Sequence, residues 1–273
     1  MNKKNQKENK KLLNFYNQVY KNGEEKHYTS FVTSGTPSTE SSEVLKKISW
    51  KNKHVLDVGC GTGLFSYMAA KKGAKVSGID YSKEAITIAK KSHNHQNLLY
   101  QNFDISNFPD EKFDIIVSLG TLEHMDNPFK ILKKFKKFLK NNGKIIITSP
   151  NWTNPRGYML ICLYLLFEAP ITLADLHYLT PKDFEIWAKK LNMNLKWNTF
   201  DKSWAHGKIL IEDFKRRLPN ILSDMKIKYD KKNSSKLIKW IDKNVIPFDN
   251  SLPHSGATGM YIFTNKKSKM SSK

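Results

Sequence analysis

The sequence predicts an α/β fold in which a mostly parallel sheet carries helices on both faces. Three observations lead there. From His54 onward, short apolar runs rich in Val and Ile alternate with longer amphipathic segments. The turn Gly59-Cys60-Gly61-Thr62-Gly63 joins the first apolar run to the first amphipathic segment. Acidic residues, Asp57, Asp80 and Asp104, fall at or just beyond the ends of the first three runs.

Taken in order, Val55 to Val58 reads as a short buried strand, Leu64 to Lys72 as a helix and Lys75 to Asp80 as the second strand. Lys83 to Lys91 is helical, Leu98 to Asn102 is a third strand and Phe113 to Leu119 a fourth. Pro128 to Lys140 places Ile131, Leu132, Phe135, Phe138 and Leu139 on one face, with lysines on the other. Asn142-Gly143 ends that helix, and Lys144 to Thr148 is a fifth strand. Thr180-Pro181-Lys182-Asp183 has the capping residue, proline and early acid of a helix start. Met193 to Phe200 and Met260 to Thr264 are the last two strands. Upstream, residues 1 to 11 read as a solvated tail, Leu12 to Tyr20 and Glu43 to Ile48 as helices, and Tyr28 to Ser42 as a polar loop. The organisation expected is therefore an N-terminal tail and helical cap over 1–50, and a core over 51–200 with a lid at 151–178. A helical insertion over 201–257 and a final strand with a basic tail over 258–273 follow.

The formal charge of +21 asks for an anionic partner. The composition of that charge points the other way, because 43 of the 46 basic residues are Lys and only Arg156, Arg216 and Arg217 are Arg. Base and phosphate recognition leans on the planar guanidinium, so nucleic acid is the weaker alternative. The two cysteines, Cys60 and Cys162, make no metal spacing and no disulfide framework, which suits a reducing cytoplasm. No metal site is expected. The N-terminus has no apolar run of a signal peptide, and the most apolar stretch, Tyr158 to Phe167, is too short to span a bilayer.

The Gly-rich turn decides the ligand class. A dinucleotide loop needs Gly or Ala at the sixth position from Gly59, where this chain has Leu64. Such a loop also cradles a pyrophosphate, beside which Asp57 would be repulsive. S-adenosylmethionine has no phosphate and brings a sulfonium and an ammonium, so an acid beside the loop suits it. Asp80, at the end of the second strand, can accept both ribose hydroxyls, and Tyr81 can cover the adenine. Asp104, after the third strand, can accept from the adenine amino group.

The stretches VLDVGCGTG, GIDYS, NFDI, FDIIVSLGTLEHM and GKIIITSPN occur in that order between about residues 54 and 150. Together they resemble the class I S-adenosylmethionine-dependent methyltransferases, and within them the ubiquinone- and menaquinone-biosynthesis branch. The resemblance implies a Rossmann-like, seven-stranded sheet with the last strand antiparallel and the cofactor across the strand C-termini. It implies cofactor contacts from Asp57, Gly59, Cys60, Gly61, Gly63, Asp80, Tyr81, Asp104, Ile105 and Leu119. It also places His124 at the crevice as a candidate general base, and His177 in a segment that faces the substrate. Structural roles compete with both: a packed helix-start histidine for His124 and a surface histidine for His177.

The acceptor is sorted by absences in the sequence. Base-amino methyltransferases carry an Asn/Asp-Pro-Pro-aromatic turn after the fourth strand, and this chain has Leu119-Gly120-Thr121-Leu122 there. Cytosine-C5 chemistry needs a nucleophilic cysteine, and neither Cys60 nor Cys162 is suitably placed. A small metabolite methylated at oxygen is expected, with RNA or another macromolecule as the alternative. Gly157 to Phe167 is apolar on nearly all sides and reads as a buried helix. Its functional alternatives are an apolar substrate wall or a peripheral membrane contact.

Overall fold

The computed structural model describes residues 13, 14, 17, 38–169, 171–172, 175–201, 206–228, 230–247 and 254–266. The expected tail over 1–11, the loop from Tyr28 to Pro37 and most of the Leu12 to Tyr20 helix lie outside these residues, and Leu13, Asn14 and Asn17 are helical.

Seven strands form one sheet: β1 (His54–Val58), β2 (Lys75–Asp80), β3 (Leu98–Asn102), β4 (Phe113–Leu119), β5 (Leu139–Pro150), β6 (Met193–Phe200) and β7 (Thr258–Asn265). Their order is β3-β2-β1-β4-β5-β7-β6. The pairs β2–β1, β3–β2, β1–β4 and β4–β5 are parallel. Parallel neighbours require crossovers, and the amphipathic segments supply them: α2 (Leu64–Lys71) between β1 and β2, α3 (Lys83–Ser92) between β2 and β3, and α4 (Pro128–Phe138) between β4 and β5. The Rossmann-like α/β sheet read from the sequence is the observed fold. Strand order reverses between β1 and β4, so the ligand crevice of such a sheet opens beyond the C-terminal ends of these two strands.

Two elements differ from expectation. α1 runs Thr39–Lys47, beginning inside the stretch read as a polar loop. Ser38 caps it, its Oγ accepting from the Ser41 N–H at 3.1 Å, and Glu40 lies in its first turn, so the Ser/Thr run is a helix start. β5 begins at Leu139, which pairs with Phe113, whereas Ile115 pairs with Lys144. The ladder thus resumes past an irregularity at Asn141-Asn142-Gly143. A side chain at Gly143 would stand 2.7 Å from Leu139 Cδ1 and 2.9 Å from the Asp114 carbonyl, so this crowded bend takes glycine.

The chain divides into two compact units. The first comprises Met1–Thr148, Phe184–Lys196 and Tyr261–Lys273. Its core includes Val55, Leu56, Ile79, Ile116, Phe135 and Ile146, all essentially inaccessible. α6 (Pro181–Lys190) contributes Phe184, stacked on Tyr261 of β7 at 3.7 Å between ring centroids, and Trp187, which meets Phe129 of α4. Lys136 of α4 donates to the Leu191 carbonyl at 2.6 Å.

The second unit comprises Ser149–Asp183 and Trp197–Met260. It holds α5 (Pro155–Phe167), α7 (Gly207–Asp224) and α8 (Lys231–Asn244) around Trp152, Leu160, Leu210, Phe214, Leu218 and Ile241. The expectation that Gly157 to Phe167 is wholly buried fails at its C-terminal end. Gly157 and Leu160 are buried, but Leu165, Leu166 and Phe167 are 72%, 73% and 58% exposed. Leu160, with Met159, Ile161 and Leu163, packs on the α7/α8 core, and the last turn of α5 does not. Among the described residues no helix is long and apolar enough to cross a membrane.

Candidate active site

The site is built where β1, β2 and β4 end. β1 delivers Asp57, and the chain then turns back at once: the amides of Gly59 and Cys60 both donate to the Ile79 carbonyl of β2, at 2.8 and 3.0 Å. Gly59, Gly61 and Gly63 have φ of +76°, +51° and +84°, a conformation that favours glycine. Gly63 is the N-cap of α2.

Packing demands glycine as strongly as the backbone does. A side chain on Gly59 would lie 2.4 Å from Thr121 Cγ2, on the turn after β4. One on Gly63 would meet the Tyr100 hydroxyl at 2.3 Å, and that hydroxyl donates to the Gly63 carbonyl at 2.8 Å. The Gly-rich loop is thus seated between the middle of β3 and the turn after β4 by Tyr100 and Thr121. The hydroxyl of Thr121 is itself anchored by donating to the Leu119 carbonyl at 2.8 Å.

Asp80 ties the loop to β2. Its Oδ2 accepts from the Gly61 N–H at 3.0 Å and its Oδ1 from the Ser82 N–H at 2.9 Å. A carboxylate has about four acceptor positions, and with the Tyr81 N–H as a third backbone donor about one is left for another donor. Burial raises the Asp80 pKa, and these amide donors partly offset it. Asp57 is fully enclosed, accepts from the Ser66 hydroxyl at 2.6 Å, and is pushed up to about 7 by burial and by the neighbouring Asp80 charge, against the Ser66 bond. Burial, together with Asp57 and Asp80, raises the Cys60 thiol well above its usual range, so Cys60 stays a protonated packing group beside Ile86, Ala89 and Tyr100.

Tyr81 is exposed, at 38% of its surface, and partial burial of its ring beside Asp80 raises its phenol. Asp104 is exposed and caps the short turn Ile105–Asn107, its Oδ1 accepting from the Ser106 N–H at 2.7 Å, while Ile105 is buried beneath it. Leu119 ends β4, and His124 closes the turn Leu122–His124 that follows, half-buried. These residues all belong to the first unit. His177 belongs to the second, half-buried in the segment that leads to α6.

Five contributors, the loop-seating Thr121 among them, were not read from the sequence. Ser66 and Tyr100 lie in segments read as an ordinary helix and strand, nine and 37 residues from the groups they bond. Glu40 and Glu123 flank Gly120: the point that a Gly120 side chain would occupy is 3.7 and 3.8 Å from the Glu40 carboxylate oxygens and 3.9 Å from Glu123 Oε1. Glu123 is buried. Its position, one residue before the singled-out His124, was the available signal. Glu40 had none, because its stretch read as a loop. With Asp57 and Asp80, the strand ends carry four carboxyl groups in a chain of net charge +21.

The sequence pattern of the Methyltransferase domain family matches residues 49–240. The chain belongs to that family. The ubiquinone biosynthesis O-methyltransferase of Glaesserella parasuis is 39% identical over 120 residues, 41% of this chain and 50% of that protein. The methyltransferase thus aligns with only half the length of this relative. The ubiquinone biosynthesis O-methyltransferase of Dechloromonas aromatica is 30% identical over 176 residues, 59% of this chain and 75% of that protein. Among solved structures, the methyltransferase is similar to an Archaeoglobus fulgidus SAM-dependent methyltransferase, at a TM-score of 0.55 and 20% identity over 87% of this chain and 99% of that one. It is also similar to a chain of the complex between the Haloferax volcanii Trm112 methyltransferase activator and the putative methyltransferase (TM-score 0.59, 11% identity, 91% and 96% covered). At these identities the structural likeness is one of fold. The resemblance to methyltransferases drawn from the five motifs is borne out.

Proposed function

We propose that this methyltransferase moves a methyl group from S-adenosylmethionine to a hydroxyl of a small acceptor with apolar character. The observation that carries the reading is the cluster of carboxyl groups, Asp57, Asp80, Glu40 and Glu123, at the β1/β4 strand ends of a strongly basic chain. An anionic pocket suits a ligand bearing a sulfonium and an ammonium, and repels the pyrophosphate of a dinucleotide. Gly59 and Gly61 would bring bare backbone to the ligand, Gly63 would hold the turn beneath Tyr100, and Cys60 packs beneath the loop. The remaining acceptor capacity of Asp80 would take a ribose hydroxyl, Asp104 the adenine amino group, and Tyr81, Ile105 and Leu119 would border the base.

When bound, the cofactor supplies an electrophilic methyl whose sulfur leaves as a neutral thioether. The protein's work is then to align a hydroxyl with that methyl, keep water out and take the hydroxyl proton. His124, on the turn after β4, is the proposed base, and His177 is the second candidate. Oxygen as the receiving atom and a small acceptor are supported by the names of the relatives, ubiquinone biosynthesis O-methyltransferases. RNA is disfavoured because the lysines are scattered and all three arginines converge on one internal carboxylate, Asp213. Two free cysteines suit a cytoplasmic setting.

The test is transfer of labelled methyl to phenols and catechols with and without an apolar tail, run beside total RNA. Ether products from the tailed hydroxyl acceptors, with kcat lowered in His124→Ala and donor affinity retained, are expected. Label entering RNA alone would overturn the acceptor class. A lowered kcat in His177→Ala but not in His124→Ala would reassign the base.

A second reading concerns the second unit. The exposed Leu165, Leu166 and Phe167 end α5, and on α8 Trp240, 58% exposed, has Lys236 and Lys243 at helical spacing. Apolar and aromatic side chains next to lysines match an anionic bilayer surface, where the acceptor would be dissolved. Sedimentation with phosphatidylglycerol vesicles that persists in Trp240→Ser/Leu166→Ser would refute this contact.

A further inference from the structure

The centre of the Gly-rich loop is held by a third side chain besides Asp80 and Tyr100. His93, just past the C-terminal end of α3, brings its Nδ1 to 2.8 Å from the Thr62 carbonyl oxygen. A carbonyl has no proton to give, so Nδ1 carries the hydrogen and donates it, whether the ring is neutral or protonated. The contact therefore fixes the neutral ring as its Nδ1–H tautomer. His93 lies 31 residues from Thr62 in sequence and is half-buried. Its own backbone N–H closes α3 on the Ala89 carbonyl at 2.9 Å, so the ring springs from a fixed point. The Tyr67 ring of α2 lies beside it, with 5.6 Å between centroids and the planes tilted by 43°.

The loop needs such a hold. Gly61 and Gly63 sit at positive φ on either side of Thr62, and glycine gives up more conformational freedom than any other residue when it is ordered. The Gly63 N–H donates to the Cys60 carbonyl at 2.9 Å, which closes a turn with Gly61 and Thr62 at its centre. That N–H and the Thr62 carbonyl belong to one planar peptide and point opposite ways. Cys60 grips the plane from inside the turn, and His93 grips it from outside. With both bonds made the plane is locked, although the glycine at its end would let it rotate. Its neighbours are the Gly61 N–H, which donates to Asp80 Oδ2 at 3.0 Å, and the Gly63 carbonyl, which accepts from the Tyr100 hydroxyl. Rotation at Thr62 would disturb both. A ring that served only to pack on Tyr67 would need no donor at Nδ1.

We propose that His93 is a positioning residue of the cofactor site: its Nδ1–H locks the Thr62–Gly63 peptide and, through Gly61, keeps the Asp80 carboxylate aligned for the donor. This role rests on the reading of the loop as the seat of S-adenosylmethionine. His93 acts through Thr62, and the chemistry it needs is a hydrogen-bond donor attached to Cγ. Asparagine supplies that donor without the ring, because its amide nitrogen also sits on Cγ. Phenylalanine supplies the ring without the donor.

Two readouts on the full chain separate these roles: hydrogen exchange of the Gly61 and Gly63 amides in the ligand-free protein, and calorimetric titration with S-adenosylmethionine. His93→Phe loses one neutral hydrogen bond, so exchange of both amides should quicken and donor affinity should fall, each by about fivefold. His93→Ala should do the same, and it serves in place of His93→Phe if urea unfolding shows that the larger ring disturbs the fold. His93→Asn should stay within about twofold of the wild type in both readouts. A residue that only packs gives the reverse order, with His93→Phe like the wild type and His93→Asn as impaired as His93→Ala. That order, or equal donor affinity in all the folded variants, overturns the proposal. A wild-type chain that binds no S-adenosylmethionine, with exchange still following the Nδ1 donor, unseats the reading of the site and the donor-binding half of this role, while the hold on the loop stands.

Discussion

Gly59→Ala isolates what the Gly-rich loop asks of its residues. The substitution has two separable costs. Holding a β-carbon at φ +76° costs about 1–2 kcal/mol. The new methyl must also stand 2.4 Å from Thr121 Cγ2 and 2.5 Å from its Oγ1, an overlap costing about 1–3 kcal/mol through displaced neighbours. The single variant should therefore lose about 2–5 kcal/mol of stability, or bind S-adenosylmethionine correspondingly more weakly if the loop moves instead. Thr121→Ala removes both close atoms and leaves Cβ at 3.0 Å, so it should relieve most of the overlap and none of the backbone strain. The double variant is expected to recover about 1–3 kcal/mol relative to additivity. Urea unfolding at matched m-values gives the stability side of this cycle, and calorimetric titration of the cofactor gives the binding side. Additive effects in both measurements would refute the claim that the β1 and β4 turns are packed face to face.

Three further outcomes follow from the same geometry. Asp57, raised to about 7, is protonated in the empty protein at acid pH and must ionise to face a cation, so cofactor affinity should rise from about pH 5.5 to 7.5 and then level off. Asp57→Asn should flatten that profile. Because the folded pKa is above the unfolded value, the stability that Asp57 contributes to the ligand-free protein is fully present below the ordinary carboxylate value of 3.8 and is lost as pH rises through about 7. The melting temperature of Asp57→Asn should fall less steeply over that window. Asp80→Asn keeps one acceptor oxygen but turns an amide toward the Gly61 or Ser82 N–H, and should weaken cofactor binding by about 1.5–3 kcal/mol in calorimetry. Tyr100→Phe removes the bond to the Gly63 carbonyl and should cost about 1 kcal/mol in urea unfolding, a wild-type midpoint counting against a seated loop.

The sheet was readable because period and punctuation agree. Strands β2, β3, β4 and β6 fall on the residues their apolar runs mark, and Gly59 to Gly63 can only be a turn. Misreadings occurred where one local signal has two meanings. Ser38-Thr39-Glu40 is polar like a loop and capping like a helix start, and only its packing partners Val44 and Leu45 decide for the helix. Asn142-Gly143 marks a break, but whether it ends a helix or bends a strand depends on Phe113 being free to pair with Leu139. The exposed end of α5 was hidden because periodicity shows where a helix is apolar and not how much core is there to cover it.

The site shows the same division. Asp57 and Asp80 were visible because strand ends are where the chain places ligand groups, and their chemistry follows from residue type. Ser66, Tyr100, Thr121 and Glu40 were not, since each acts on a residue distant in sequence and looks like ordinary helix, strand or loop locally. These unread residues set the function of the read ones. Without the Ser66 bond, Asp57 would be raised still further by burial and stay neutral at neutral pH. Without Tyr100 and Thr121 against the loop, no contact would reject a side chain at Gly59 or Gly63 beyond backbone preference. In the proposed function the acids would attract a cationic donor, and their distant partners modulate the ionisation of Asp57 and fix the course of the glycine loop. Changing Thr121 or Tyr100 should therefore alter donor affinity without altering any group that touches the donor.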